Sequence, residues 1–207
     1  MRATVEEWLG ESTIRHAVYT PAELEKISGL SADMQRVWRR RGQLPSHGSG
    51  HARFSIPEAI DITLRYALSK IGIPPSDLKL DLSKATSAAM AFAIFSHGGC
   101  EVVGPADDVD QFLLQFSEDQ GELGVYLAGS PKEFHYLVLN EWHESRVVDD
   151  PTDLVSNAEE LSIVFNLELL GSRLVERGRK PVVTIRLPDR SGQRTVRWLT
   201  GVGANDS

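Results

Sequence analysis

A run of arginines lies between Met34 and Pro57, where the sequence contains no acidic residue. Its members are Arg36, Arg39, Arg40, Arg41 and Arg53. Guanidinium groups bind phosphate oxygens through paired N–H donors, and a basic cluster of this density is the electrostatic footprint of a phosphate-binding surface. The alternative is a solvated helix face, because blocks of like charge are often simply exposed. The pattern favours binding to a phosphate backbone.

The charge of the chain is unevenly distributed. The net charge is −7, which by itself argues against a polyanionic partner. Residues 20–79 nevertheless carry nine basic and six acidic side chains, whereas residues 80–160 carry three basic and sixteen acidic ones. Because the acidic middle of the chain would repel DNA, we expect it to have a different task.

Two short helices must present the arginines. Thr20 starts a capping box that opens the first helix, which we predict over Pro21–Ser28. The turn Gly29–Ser31 follows, and its last residue caps a second helix predicted over Ala32–Arg41. Two short helices joined by a glycine-containing turn form a helix-turn-helix.

The rest of the chain alternates between helical and strand patterns. Gln43–Ala52 is rich in glycine, serine and histidine and predicts a loop or short hairpin, and Ser55 begins a second capping box. Predicted helices cover 56–70, 75–96, 107–116 and 161–175. Predicted strands cover 101–103, 125–127, 134–139 and 146–148, with a hairpin formed by 182–187 and 195–199. The sequence therefore predicts the α+β class.

An ordered set of motifs in residues 18–80 resembles the MerR-type winged helix-turn-helix. The matching segments are Tyr19–Leu24, Gly29–Ser31, Arg36–Pro45, Arg53–Ser55 with Glu58 and Ile60, and Gly72–Pro74. The resemblance implies an N-terminal winged helix-turn-helix, in which the helix 32–41 reads the major groove and the wing 43–54 contacts the DNA backbone. Two departures are Gln35, where the family usually has leucine, and Arg39, where an acidic residue is common.

Helical spacing divides the expected roles of the second helix. We expect Val37 to face the first helix and the polar side chains around it to project elsewhere. Gln35 can then read adenine and Arg36 guanine through bidentate hydrogen bonds. Arg39 and Arg40, in the last turn, are better placed for phosphates.

The wing adds further candidates. We expect Arg53, at the base of the wing, to contact the DNA backbone or minor groove, while His47 and His51 add pH-dependent phosphate contacts. Trp38 is expected to anchor the core between helices, because buried tryptophan dominates small cores. The expected DNA-binding residues are Thr20, Ser31, Gln35, Arg36, Arg39, Arg40, Arg41, His47, His51 and Arg53.

Catalytic and metal-binding motifs are the alternative to a binding surface. Cys100 is the one cysteine of the chain, which excludes an internal disulfide and a multi-cysteine metal cluster. The pairs His47/His51 and His97/Cys100 come without the further ligands that a zinc site needs. P-loop, dinucleotide-binding and nucleophile-elbow motifs do not occur in the sequence. We therefore expect no enzymatic activity, no cofactor and no metal.

Targeting signals are also absent from the sequence. No apolar run approaches the roughly 18 residues that a membrane helix needs. Met1–Gly10 carries Glu6 and Glu7 and contains no apolar stretch, unlike a signal peptide. We expect a cytoplasmic protein without a membrane partner.

The patterns divide the chain into four expected parts. These are an N-terminal extension (1–17), the winged helix-turn-helix DNA-binding domain with the helix that follows it (18–97), an acidic α+β domain for dimerisation or partner binding (98–200), and a flexible tail (201–207). In a homodimer the helix 161–175 is the interface candidate, because Gly171 permits close approach. The alternative is that this helix covers the sheet of its own domain.

Three functions fit these residues. The first is a sequence-specific transcription regulator of bacterial or phage type that binds double-stranded DNA as a homodimer and contacts transcription machinery through its acidic domain. The second is an excisionase-like architectural or recombination factor of a mobile element. The third is a ligand-sensing regulator with an aromatic pocket, although core packing explains these rings more simply. The rings available for such a pocket belong to Tyr126, Phe134, Tyr136, Trp142 and Trp198.

Overall fold

The structure is a computed structural model that describes residues 4–44, 52–76, 80–118, 120–140, 144–150, 152, 162–188 and 194–199. Its helices are α1 Val5–Leu9, α2 Pro21–Ser28, α3 Ala32–Arg40, α4 Ile56–Ser69, α5 Ser83–Phe95, α6 Ala106–Glu118, α7 Gln120–Ala128 and α8 Leu167–Gly178. Its strands are β1 Thr13–His16, β2 Val18–Tyr19, β3 Phe54–Ser55, β4 Cys100–Pro105, β5 Tyr136–Asn140, β6 Ser145–Val148, β7 Ser162–Asn166, β8 Val183–Arg186 and β9 Arg194–Leu199. The predicted α+β class is confirmed.

Helices α2 and α3 form for the local reasons that the sequence indicates. The Thr20 hydroxyl accepts a hydrogen bond from Glu23 N, and the Glu23 carboxylate accepts one from Thr20 N, so the predicted capping box is present. Gly29 ends α2 in the left-handed region, with φ 79°, which glycine adopts without a steric penalty. Ser31 caps α3 through Met34 N. The bounds of α2 are as predicted, and α3 ends one residue earlier than predicted.

A small ladder joins the start of α2 to the start of α4. In this two-stranded antiparallel sheet, Val18 pairs with Ser55 and Tyr19 pairs with Phe54. Ser55 then caps α4 in a second capping box with Glu58. The ladder therefore fixes the position of Arg53 beside the two-helix unit.

A four-stranded sheet draws its strands from both ends of the chain. Its order is β1-β8-β4-β9, with β8 parallel to β4 and the other two pairs antiparallel. The predicted hairpin of 182–187 with 195–199 is wrong, because β4 lies between β8 and β9. Segment 1–17, expected as an extension, contributes β1 to this sheet. Beside it, Trp8 Nε1 of α1 donates a hydrogen bond to Gln115 Oε1 of α6.

Two other predicted elements differ from the structure. Residues 125–127, predicted as a strand, lie in α7, where Leu123 and Leu127 face inward at helical spacing. The predicted helix 161–175 is partly a strand, since β7 covers Ser162–Asn166 and Asn166 then caps α8. Both segments are short apolar runs, in which helical and strand periodicity cannot be separated without the neighbours.

The core is organised around α5, which is buried on all sides over most of its length. Its backbone lies against α8 at Gly171, where an added Cβ would come within 2.6 Å of Ala89 O and 2.7 Å of Ala93 N. Gly171 thus serves a contact within the chain, although with helix α5 and not with the sheet that the alternative to a dimer contact named. Helix α5 begins at Ser83, so it is shorter than the predicted helix 75–96; within that predicted span, residues 77–79 lie outside the described part.

Candidate nucleic-acid interface

The outward face of α3 carries the basic groups predicted for DNA contact. Arg36 and Arg40 are exposed, and Arg39 is half-buried. Together with Asp33 and Val37, these three arginines line a shallow surface groove of about 690 Å³. The structure therefore brings part of the predicted arginine cluster together on one side of a single short helix.

Arg36 forms an ion pair with its neighbour on the preceding turn. Its Nη1 lies 2.7 Å from Asp33 Oδ1, and the two side chains are 71% and 88% exposed. A pair this exposed contributes little to folding, because water screens the attraction and both side chains lose rotamer freedom. The Arg36 guanidinium can accordingly exchange Asp33 for another acceptor at small cost.

Arg39 differs from Arg40 in its surroundings. Its Nε is buried and has no hydrogen-bond partner among the described residues. The aliphatic stem therefore packs against the protein, as long basic side chains often do. Arg39 and Arg40 were expected to be equivalent phosphate contacts, and the structure makes Arg40 the more accessible of the two.

Gln35 is not on this face, and the expectation that it projects outward is wrong. Its side chain is buried at 1% exposure. Its Nε2 donates hydrogen bonds to the carbonyl oxygens of Pro21 and Leu30, each at 2.9 Å. The amide thus joins α3 to the start of α2 and to the turn between them. A side chain in this position cannot bind adenine unless it first breaks these two hydrogen bonds and leaves the core.

We predict that Gln35→Ala lowers the free energy of unfolding by about 1–3 kcal/mol, because it leaves two carbonyl oxygens without their buried donor. Chemical denaturation measures this, with Met34→Ala as the control on the exposed side of the same helix, where a change within about 0.5 kcal/mol is expected. Unchanged stability combined with a lost preference for adenine would restore the base-reading role.

The inner face of α3 consists of Gln35 and Trp38, which lie one turn apart. Trp38 is 6% exposed and packs edge-on against Tyr66 of α4, with ring centroids 6.0 Å apart. Its predicted role as a core anchor is confirmed. Val37, predicted to face α2, instead lines the outer groove with the arginines. The helix is therefore rotated relative to the prediction.

The remaining predicted DNA-binding residues lie around this helix pair. Thr20 and Ser31 use their hydroxyl oxygens as helix caps. Arg41 follows the end of α3 and is exposed, and Arg53 is exposed beside β3, with its Nη1 3.3 Å from Ala52 O. His47 and His51 lie outside the described residues.

Residues near the end of α8 hold the helix pair in place. Lys180 Nζ donates hydrogen bonds to Glu23 Oε1 at 2.7 Å and to Val18 O at 2.8 Å, and it lies 4.7 Å from the centroid of the Tyr19 ring. Arg177 Nη1 donates to Ile27 O at 3.1 Å. Sequence reasoning missed these contacts, since the partners are far apart in the chain.

The same contact changes the ionisation of the α2 capping box. Burial raises the pKa of Glu23. Hydrogen bonds from Lys180 and from Thr20, together with the charge of Lys180, outweigh this effect, so the pKa of Glu23 lies below its usual value. The carboxylate is therefore held in its charged form, in which it can accept the bonds that fix α2.

Candidates for other chemistry are not brought together. Burial raises the pKa of the Cys100 thiol to about 12, so it is neither a ready nucleophile nor a ready metal ligand. Within the described ranges, no three metal-binding side chains cluster. Among the proposed pocket aromatics, Tyr126 is in α7, Phe134 and Tyr136 are at or just before the start of β5, and Trp198 is in β9. Trp142 lies outside the described part.

Comparisons with known proteins assign no family to the chain. No family model matches its sequence, and a search of curated proteins finds no significant match. In the part of the chain that the structure describes, no helix combines the length and the apolar character needed to cross a membrane.

Proposed function

We propose that the protein is a sequence-specific, DNA-binding transcription regulator. Helix α3 enters the major groove, and the wing predicted over residues 43–54, of which 45–51 lie outside the described part of the chain, contacts the DNA backbone. In this reading α2, α3, the β2–β3 ladder and α4 are a MerR-like winged helix-turn-helix. The observation that carries the proposal is the division of α3 into an inner face, with Gln35 and Trp38, and an outer face with the arginines.

The arginines have different tasks within this proposal. Arg36 lies in the first half of α3, the end of a recognition helix that usually contacts base edges, and it binds guanine O6 and N7. Arg40 and Arg41 lie at the end of the helix, where they bind phosphates. Arg39 contributes its charge to the same surface while its stem packs against the protein. Gln35, which is buried, is not among the residues proposed to contact bases.

Asp33 opposes DNA binding within this proposal. Before binding, its carboxylate pairs with Arg36. On a duplex that offers guanine at the right place, Arg36 exchanges this weak ion pair for a bidentate partner, and the charge of Asp33 repels the phosphates of any duplex. The carboxylate therefore lowers affinity for cognate and non-cognate DNA alike.

We predict that Asp33→Asn tightens binding to non-cognate duplexes roughly fivefold, since one unit charge at close range in water is worth about 1 kcal/mol. Affinity for the cognate duplex should rise at least as much, because Arg36 then has no ion pair to exchange for guanine. The experiment selects a binding site for the full chain from a pool of random duplexes, and then measures both affinities by anisotropy. The control is Asp107→Asn, which removes one exposed carboxylate from α6.

An enriched site, followed by tighter binding of both duplexes in Asp33→Asn but not in Asp107→Asn, supports the proposal. If selection enriches no sequence, the regulator reading is wrong. Mapping the enriched sequence then separates the two DNA-binding alternatives: sites in promoters mark a regulator, and sites at recombination junctions mark an architectural factor.

The proposal includes a homodimer, because one recognition helix contacts too few base pairs for specificity and paired half-sites double the readout. Sedimentation of the full chain with and without the selected duplex tests this. A stoichiometry of two chains on one palindromic site supports it, and a single chain on each isolated half-site with equal affinity contradicts it.

A further inference from the structure

The four-stranded sheet has a second surface that the α3 proposal does not use. Side chains alternate between the two faces of a strand, so residues paired across strands share a face. One face holds Cys100, Val102 and Ile185, which are buried. The opposite face is open at β9, where Val196 is 50% and Trp198 41% exposed.

The register shows which side chains share this open face. Arg15 pairs with Thr184, Thr184 with Glu101, and Glu101 with Trp198, so these four form one row. The next row consists of Thr13, Arg186, Val103 and Val196, and Arg194 follows opposite Pro105. We call the surface carrying Arg15, Arg186, Arg194, Val196 and Trp198 the arginine–tryptophan face.

The charges of the arginine–tryptophan face are arranged in a line. Its three arginines lie on three different strands and each is one row further along, so they cross the sheet diagonally. Arg15 and Arg186 are neighbours at roughly 8 Å between Cα atoms, from the usual strand spacing and rise. Both are exposed, and neither guanidinium has a hydrogen-bond or ion-pair partner among the described residues.

An apolar patch lies directly beside that line. Val103 and Val196 follow Arg186 in its row, and the Trp198 indole is next to Val196 along the face. An exposed tryptophan is unusual, and an open sheet that combines aromatic rings with arginines suits a chain in which flat bases alternate with phosphates. Duplex DNA hides its base faces in the stack, so this geometry selects unpaired nucleotides.

We propose that the arginine–tryptophan face binds single-stranded nucleic acid, with the Trp198 indole stacked on a base and the arginines holding phosphates. Two copies of the chain packed through this face would bury the arginines of both copies in one interface, where Glu101 is the acidic side chain among the described strand rows, so self-association is disfavoured. An acidic peptide would match the charges but would leave the indole without a stacking partner.

The test measures binding of labelled oligothymidylate and oligouridylate to the full chain by anisotropy. Trp198→Ala is expected to weaken binding about 5- to 150-fold, whereas Trp198→Phe retains most of it, because stacking needs a ring. Arg186→Ala should lower the slope of log affinity against log salt by about 0.7, the value for one phosphate of a single strand. The ratio of the two oligonucleotide affinities separates DNA from RNA as the natural ligand.

The matched control is Arg197→Ala, because Arg197 is next to Trp198 on β9 but points to the opposite face and is exposed. It should bind like the unaltered chain. If thermal unfolding shows that Trp198→Ala destabilises the edge strand, the double variant Arg15→Ala and Arg186→Ala tests the same face with two exposed positions, and its salt slope should fall by about 1.4.

Single-strand binding by the arginine–tryptophan face can be tested separately from duplex binding by α3. Loss of single-strand binding in the face variants with unchanged duplex binding supports the inference, whatever α3 variants do. The inference is overturned if the face variants bind like the unaltered chain, if Arg197→Ala costs as much as Arg186→Ala, or if only α3 variants lose the oligonucleotide. A face variant that converts a dimer to a monomer while keeping oligonucleotide affinity would identify the surface as a contact between copies and would also overturn it.

Discussion

A chain carrying both Arg36→Ala and Arg40→Ala is expected to bind its selected duplex roughly 100-fold more weakly, since a bidentate base contact contributes about 1–3 kcal/mol and a phosphate contact adds to it. The two single variants should lose DNA affinity in different ways. Arg36→Ala loses affinity on the cognate duplex only, whereas Arg40→Ala weakens all duplexes alike and reduces the salt slope by about 0.9. Both side chains are exposed, so neither change disturbs the core.

Anisotropy titrations at several salt concentrations measure these effects, and Arg173→Ala is the control, because Arg173 is an exposed arginine on α8. Arg39→Ala belongs in the same series. Since the Arg39 stem packs against the protein, we expect this variant to lose stability as well as affinity.

The alternative for the arginines of the last turn is a structural one, in which cations offset the partial negative charge of the helix end. If Arg40→Ala lowers the melting temperature but leaves affinity and salt slope unchanged, that alternative is correct and the binding surface is misplaced.

Gly171→Ala is expected to lower the free energy of unfolding by about 1–3 kcal/mol, the usual cost of overpacking a core. The new methyl group would meet backbone atoms of α5, Ala89 O and Ala93 N, which cannot rotate away as a side chain can. Helix α8 would have to move away from α5, although alanine by itself is the better helix former. Denaturant unfolding measures the loss.

The control is Arg173→Ala on the exposed side of the same helix, where a change within about 0.5 kcal/mol is expected. The experiment also distinguishes the contact with α5 seen in the structure from the dimer contact predicted for this helix. If the glycine served a contact between copies, its replacement would change the oligomeric state and leave the unfolding of the monomer unaltered. That outcome would contradict the packing of α8 on α5.

Local chemistry accounts for the parts of the fold that could be predicted. The capping boxes at Thr20 and Ser55 and the glycine at position 29 act within one or two turns, so the bounds of α2 and the start of α4 are readable from adjacent residues. Asp107–Phe116, also predicted as a helix, lies in α6. The charge of the arginine cluster is likewise a property of the sequence alone.

The orientation of α3 in the candidate site could not be predicted from the sequence. Helical spacing restricts which residues of α3 share a face, but it does not say which face turns inward. The prediction placed Val37 inward, whereas packing turns inward the face on which Gln35 donates to two carbonyl oxygens and Trp38 contacts Tyr66. Since a polar residue on the inner face contradicts a simple apolar stripe, Val37 was the natural but wrong choice.

By itself, the sequence determined the two short helices α2 and α3 with the turn between them, the basic cluster on α3 and the separate acidic stretch. Caps, turns and charge depend on neighbours along the chain. Only the tertiary structure decided that β4 separates β8 from β9 and that β1 joins their sheet. It also decided that Lys180 holds α2 and that Arg15, Arg186 and Trp198 share one face. These arrangements join residues that are distant in sequence. Several strand orders are compatible with the sequence, and the one that forms is the one that buries the core best. Local sequence patterns do not distinguish between these strand orders.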